Sequence, residues 1–135
     1  MRIMAIDYGM KRVGVAITDP SCTISQPLLT IKPKSDFDLI KRLKCIAEEN
    51  EVGLILVGNP LSLKGEPTKM SNEIERFLRK LRRLIDIEVV KWDERYMSKY
   101  ATNQLKTLGK KSKKEDIDRV AASIMLEEYL QSKRA

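Results

Sequence analysis

The chain of 135 residues contains no histidine, and this absence excludes several kinds of catalytic site. Without histidine there are no Ser-His or Cys-His nucleophilic pairs, and the commonest general base is missing. The two cysteines, Cys22 and Cys45, stand far apart, so one subunit cannot build a zinc site from cysteine and histidine. We expect them to be buried, reduced thiols. Acid, base and metal-ligand roles therefore fall to carboxylates.

The chain also lacks a long hydrophobic run. Its longest apolar stretch, residues 54–57 with Val52 before it, is far too short to span a bilayer. The N-terminus enters a strand pattern at once and does not resemble a signal peptide. We therefore expect a soluble, cytoplasmic protein with no cleaved leader and no membrane partner. Its sequence is compatible with a monomer or a homodimer.

Basic residues are in excess, with 26 Lys and Arg against 19 Asp and Glu and a formal net charge of +7. Such a balance favours a polyanionic partner, because each phosphate neutralised by Lys or Arg releases condensed counterions. Nucleic acid is the first candidate. The length fits a single domain over residues 1–135, and no linker-like stretch divides it.

The apolar pattern predicts three strands followed by strands that alternate with helices. Strands are predicted at residues 2–7, 12–18, 27–32, 52–57 and 87–92, and helices at residues 35–50, 67–84, near 101–108 with an end at Gly109, and after 112–115. The unbroken apolar run at 52–57 predicts the centre of the sheet. This order is typical of an α/β domain with a mixed five-stranded sheet flanked by helices.

Helical spacing also predicts which residues face the core. In the first helix, Phe37 belongs to the inward stripe. In the last helix, the predicted inward residues are Ile117, Val120, Ala121 and Ile124. Asp118 lies beside that stripe.

Three acids stand at predicted element boundaries: Asp7 and Glu94 at strand ends, and Asp118 near the start of the last helix. Ligands of α/β sheets gather outside the carboxyl ends of the strands, where a helix docked across the edge can add its own acid. Each acid alone also has a simpler interpretation, as a turn residue, a partner of Arg95 or a charge near a helix N-terminus.

Three carboxylates brought together repel one another unless a cation is present. Hard oxygen ligands without histidine or thiolate select Mg²⁺ or Mn²⁺, which can activate water for attack on a phosphodiester. The acids therefore predict a metal-dependent nuclease with Asp7, Glu94 and Asp118 as both the catalytic residues and the metal ligands. A nucleic-acid-binding factor without turnover fits the basic charge equally well.

Four segments in order carry a resemblance to a known family: residues 6–9 with 12–16, 57–61 continuing to 65, 93–95, and 117–122. They resemble the YqgF family, also called RuvX, over nearly the whole chain. The resemblance implies a ribonuclease H-like fold and places the family's acids on Asp7, Glu94 and Asp118. The chain departs from the family where Tyr96, Met97 and Ser98 replace a leucine and two hydroxyl residues, and we interpret Ser98 as a helix cap.

The family is regarded as nucleases that process the 5′ end of precursor 16S ribosomal RNA, and it was earlier proposed to resolve Holliday junctions. The resemblance thus implies structured RNA as the substrate, with four-way DNA as the alternative.

Six basic residues are candidates for nucleic-acid binding: Arg12, Arg95, Lys110, Lys111, Lys113 and Lys114. The two arginines adjoin the acidic strand ends, where a guanidinium can bind phosphate oxygens bidentately. Arg95 can equally pair with Asp93 or Glu94. The lysines form a charged segment that can follow a phosphate backbone.

Overall fold

The computed structural model of the chain describes residues 1–60 and 64–134. The strands are β1 Arg2–Tyr8, β2 Val13–Thr18, β3 Ser25–Ile31, β4 Val52–Asn59 and β5 Glu88–Asp93. The α-helices are α1 Asp36–Glu49, α2 Lys69–Leu84, α3 Lys99–Lys111 and α4 Lys114–Arg134, and a short 3-10 helix covers Glu94–Tyr96. The predicted order of strands and helices is confirmed.

The strands form one mixed sheet in the order β3-β2-β1-β4-β5. β2 is antiparallel to β1 and β3, whereas β4 is parallel to β1 and β5. The sheet centre is therefore β1, and the prediction that residues 52–57 occupy it is wrong by one strand. An unbroken apolar run reports that both faces of a strand are covered, and this holds for any strand inside a sheet.

The two faces of the sheet carry two separate clusters of apolar side chains. Because side chains alternate along a strand, Met4 and Ile6 of β1 pack with α1 and α2, whereas Ala5 packs with α4 on the other face. Asp7 follows Ala5 by two residues and therefore also faces α4. The α4 face is consequently the one that carries the first acid.

Helix α4 packs through a different stripe from the one predicted. Ala122, Met125, Leu126 and Tyr129 are buried against the sheet, whereas the predicted residues 117, 120, 121 and 124 are only half-buried. Val120 and Ile124 instead line a groove beside α3. The helix carries two neighbouring apolar stripes, and the one that contains Ala122 packs on the sheet. Asp118 lies four residues before Ala122, on the packed stripe itself.

Two further packing predictions are wrong. Phe37 is 67% exposed, because α1 turns Leu39, Ile40 and Leu43 to the core instead. Cys45 is exposed on the outer side of α1 and Cys22 is half-buried, although both thiols are free as expected.

The ends of α3 show how local sequence sets the helix bounds. The Ser98 side chain accepts a hydrogen bond from the Ala101 backbone N–H at 3.1 Å, which confirms the predicted cap. The helix does not end at Gly109 but continues to Lys111, and the chain leaves it through Ser112 in an extended conformation. In the described part of the chain, no helix is long and apolar enough to cross a membrane.

Candidate active site

Asp7 lies at the carboxyl end of the central strand with a glycine on each neighbouring strand. Gly14 of β2 is its partner in the ladder, and Gly58 of β4 follows the residue that pairs with Ile6. Burial of the Asp7 carboxyl, together with the nearby charges of Glu94 and Asp118, raises its pKa to about 7. The structure thus surrounds this acid with conditions that disfavour its charge.

Glu94 reaches toward Asp7 across β4. It directly follows β5, whose last residue pairs with Asn59 at the end of β4. A Cβ placed on Gly58 would lie 3.2 Å from Glu94 Oε2, so the missing side chain at Gly58 leaves the space that the carboxylate fills. Burial first, and then the charge of Asp93, raises the pKa of Glu94.

Asp118 reaches the same place because α4 crosses the sheet at Gly14. A Cβ on Gly14 would lie 1.9 Å from the carbonyl oxygen of Asp118, so the helix backbone rests directly on the strand. Since Gly14 is the ladder partner of Asp7, this contact brings Asp118 beside Asp7. Three acids distant in the chain therefore meet at one edge of the sheet.

The donor set suits a hard divalent ion, but its arrangement is incomplete as it stands. Within residues 1–60 and 64–134, no group of three or more His, Cys, Asp or Glu residues is arranged to hold a metal ion. One of the three acids is already paired, because Asp118 Oδ2 accepts a hydrogen bond from Arg12 Nε at 2.6 Å. Asp118 is thus turned to an arginine, while Asp7 and Glu94 carry pKa values raised by burial and neighbouring charge.

Arg95 pairs with Asp93, which is one of the alternatives that the sequence left open. Its Nε donates to both carboxylate oxygens of Asp93, at 3.1 and 2.9 Å, and its Nη2 donates to Oδ2 at 2.5 Å. The guanidinium is also covered by Gly65, where an added Cβ would lie 2.9 Å from Nη1. This pairing lowers the pKa of Asp93 and holds Arg95 beside the acidic edge.

The four lysines are exposed around the junction of two helices. Lys110 and Lys111 end α3, Lys113 lies in the connection, and Lys114 begins α4 about one turn before Asp118. The charged segment that these lysines form is thus mostly helical. Within the segment 57–65 that carries part of the family resemblance, residues 61–63 lie outside the described residues.

Sequence reasoning missed the two glycines and the ion pair of Arg12 with Asp118. A glycine inside a strand pattern marks a close approach by another backbone or group, and this signal was available at Gly14 and Gly58. The ion pair joins residues separated by 106 positions, so no local pattern indicates it.

Solved structures with the same fold include two junction resolvases. The Thermus thermophilus RuvC in complex with a Holliday junction has a TM-score of 0.62 at 12% identity, covering 100% of this chain and 98% of that one. The fowlpox virus resolvase in complex with junction DNA has a TM-score of 0.55 at 16% identity, covering 100% of both. With the sheet order above, they define this chain as a ribonuclease H-like domain.

Sequence similarity then places the chain within that class. The family model RuvX, described as Holliday junction resolvase, matches residues 1–132. A protein from Thermoanaerobacter pseudethanolicus named "Putative pre-16S rRNA nuclease" is 39% identical, with 99% of each chain covered. One of the same name from Fusobacterium nucleatum is 38% identical, with 98% of this chain and 99% of that one covered. The chain belongs to the RuvX family.

Proposed function

We propose that this RuvX protein is an endonuclease that hydrolyses phosphodiester bonds in structured RNA, and that it acts at the 5′ end of precursor 16S ribosomal RNA. The observation that carries the proposal is the meeting of Asp7, Glu94 and Asp118 at the carboxyl end of the central strand. The names of the 38–39% identical relatives support the choice of RNA. Such a substrate would place the protein in the cytoplasm.

The three acids would hold Mg²⁺ or Mn²⁺. Their oxygens are the ligands these ions prefer, and a cation would offset the burial and the neighbouring negative charges that raise the pKa of Asp7 to about 7. A bound divalent ion supplies Lewis acidity at phosphorus and water of lowered pKa. The chain's own part is to keep Asp7 and Glu94 close together and to shield the buried edge from bulk water.

The basic residues would position the nucleic acid. Arg12 lies against Asp118, and Arg95 is held by Asp93 at the end of β5, so both guanidinium groups border the acidic edge. The exposed lysines at positions 110, 111, 113 and 114 precede Asp118 and would follow the phosphate backbone away from the site.

A four-way DNA junction is the second candidate substrate. It is favoured by the family description and by the junction complexes of the two structural neighbours. A third possibility is a nucleic-acid-binding factor that keeps the fold without turnover. Both alternatives use the same edge of the sheet, so its geometry does not distinguish them. A cleavage assay with RNA and with junction DNA does, because a binding factor cleaves neither.

The test incubates the protein with a precursor 16S RNA fragment and, separately, with a four-way DNA junction, each with Mg²⁺ or Mn²⁺. We expect cleavage of the RNA that stops in Glu94→Gln and persists in Asp19→Asn, a matched acid at the opposite edge of the sheet. Preferential cleavage of the junction would transfer the proposal to DNA. Binding without cleavage of either substrate, or cleavage unchanged in Glu94→Gln, would contradict the enzyme.

A further inference from the structure

The ion pair of Arg12 with Asp118 ties the first turn of the chain to its last helix. Arg12 precedes β2, in a turn so tight that a Cβ on Gly9 would lie 2.6 Å from the Arg12 carbonyl oxygen. The side chains of Arg12 and Asp118 are 30% and 19% exposed, so the pair is neither sealed in the core nor free in solvent. Its position is therefore fixed by backbone on both sides while remaining within reach of a ligand.

Arg12 is the cation that the acid cluster already contains. Its guanidinium donates to Asp118 Oδ2, so one oxygen of that carboxylate is already engaged by a cation. An arginine and a divalent ion cannot both take the same carboxylate oxygen. An ion that takes Oδ2 of Asp118, or both of its carboxylate oxygens, must therefore displace Arg12 from it.

A phosphate offers Arg12 a better partner than Asp118 does in this geometry. The hydrogen bond that Arg12 donates to Asp118 comes from Nε of its guanidinium. A guanidinium has four further N–H groups, and it binds phosphate oxygens through two parallel hydrogen bonds. Nucleic acid arriving at the acidic edge can therefore draw Arg12 away and leave Asp118 open to the ion.

We propose that Arg12 is a positioning residue that competes with the divalent ion for Asp118, and that nucleic acid removes this competition, so that metal and nucleic acid bind cooperatively through Arg12. The proposal rests on the ion site of the proposed function, but it concerns binding and does not require turnover. Linkage makes it reciprocal, because the ion must raise the affinity for nucleic acid by the same factor.

The test is a Mn²⁺ titration of the full chain without nucleic acid, with free Mn²⁺ followed by electron paramagnetic resonance. We expect Arg12→Gln to bind Mn²⁺ about tenfold more tightly than the wild type, a typical size for a coupling between sites. Arg42→Gln is the matched control, since Arg42 Nε pairs with Asp38 on α1 at 3.3 Å in the same manner but away from the site. We expect no change there.

The second measurement follows a fluorescent 20-nucleotide RNA by anisotropy, in EDTA and in Mn²⁺, with a gel to confirm that the RNA stays intact. The gain in RNA affinity that Mn²⁺ produces should be about tenfold larger in the wild type and Arg42→Gln than in Arg12→Gln, where only the direct contact of the ion with RNA remains. Thermal unfolding checks each variant, and Arg12→Met replaces Arg12→Gln if the latter does not fold.

Equal or weaker Mn²⁺ binding in Arg12→Gln would overturn the proposal, because Arg12 would then be orienting Asp118 as a ligand or doing nothing to it. Equal coupling of metal and RNA in both proteins would also overturn it. If no protein binds Mn²⁺ even with RNA present, the ion site of the proposed function fails with it. Loss of cleavage alone, with the coupling intact, would contradict only the nuclease.

Discussion

Asp7 and Asp19 stand at opposite ends of the same hairpin, and the structure treats them in opposite ways. Asp7 is the last residue but one of β1, and Asp19 directly follows β2. The Asp19 carboxylate accepts hydrogen bonds from the backbone N–H groups of Thr23 and Ile24 at 2.7 and 3.0 Å, and from the hydroxyls of Ser21 and Thr23 at 2.7 and 2.6 Å. These donors hold its pKa far below the usual range. The pKa of Asp7 is instead raised to about 7.

The opposite pKa shifts distinguish a carboxylate that stabilises a turn, Asp19, from one that has no compensating partner among the described residues until a ligand binds, Asp7. Asp19 is charged because the loop it closes supplies donors, so its charge stabilises the fold. Asp7 is surrounded by burial and like charge, so its ionised form destabilises the fold until a cation arrives. Strongly perturbed acids of the second kind cluster at functional sites. Direction of the pKa shift, rather than the presence of an acid at a strand end, distinguishes the two.

The largest expected effect is on cleavage. Asp7→Asn should lower the cleavage rate about a thousandfold, because it removes a proposed metal ligand. A bound metal ion stabilises the transition state by several kcal/mol, and about 1.4 kcal/mol corresponds to a factor of ten in rate. Asp19→Asn should stay within about twofold of the wild type, since it is distant from the acidic edge. Single-turnover cleavage of precursor RNA measures both. Similar losses in the two variants would remove the distinction between them.

The next effect tests how closely a helix must approach the acidic edge. Gly14→Ala places a Cβ 1.9 Å from the Asp118 carbonyl oxygen, so α4 must move and carry Asp118 with it. We expect a loss of about 3 kcal/mol in the free energy of unfolding, as for severe overpacking, together with loss of cleavage. Urea denaturation gives the first quantity.

Gly109→Ala is the matched control for this glycine. It lies inside α3 with nothing within 4 Å of an added Cβ, so the alanine should stabilise the helix by up to about 1 kcal/mol. Equal stability of the two variants would mean that α4 does not rest on Gly14 as tightly as the structure shows.

Much of this arrangement could be predicted from the sequence. Strand and helix order followed from apolar periodicity, and the acids followed from their positions at element ends. The phase of α4 could not be predicted, because its two apolar stripes are both helical and only tertiary contact selects Ala122 over Val120. Nor could the pairing of Arg12 with Asp118, which depends on how the first turn and the last helix meet in space.

In EDTA, which keeps metal ions away, the two aspartates should make the free energy of unfolding change with pH in opposite directions. The pKa of Asp7 is raised from 3.8 to about 7, so the stability tied to its protonated form is present below about pH 4 and is lost as pH rises through 7. The pKa of Asp19 is lowered, so its contribution is present at neutral pH and is lost as pH falls below about 4.

Thermal unfolding from about pH 2 to about pH 8 measures both contributions. Asp7→Asn should be more stable than the wild type at pH 8 by several kcal/mol, at about 1.4 kcal/mol for each pKa unit, and nearly equal to it at pH 4. Asp19→Asn should be less stable at pH 7 and approach the wild type as the pH falls. A wild type whose stability exceeds that of Asp7→Asn at pH 8 without metal would show that the charge of Asp7 is already compensated.

The smallest effect concerns the cations that border the acidic edge. Lys113→Gln with Lys114→Gln should weaken RNA binding by several-fold at low salt, because two phosphate contacts are lost, and should reduce the slope of log affinity against log salt by about 1.4. Lys41→Gln with Lys44→Gln removes the same charge from α1, which packs on the other face of the sheet. If that pair changes the slope equally, the attraction comes from the net charge of +7 as a whole. If only the variant at residues 113 and 114 changes the slope, the edge of the sheet that contains Asp7, whose pKa is raised, is also the edge that binds the nucleic acid.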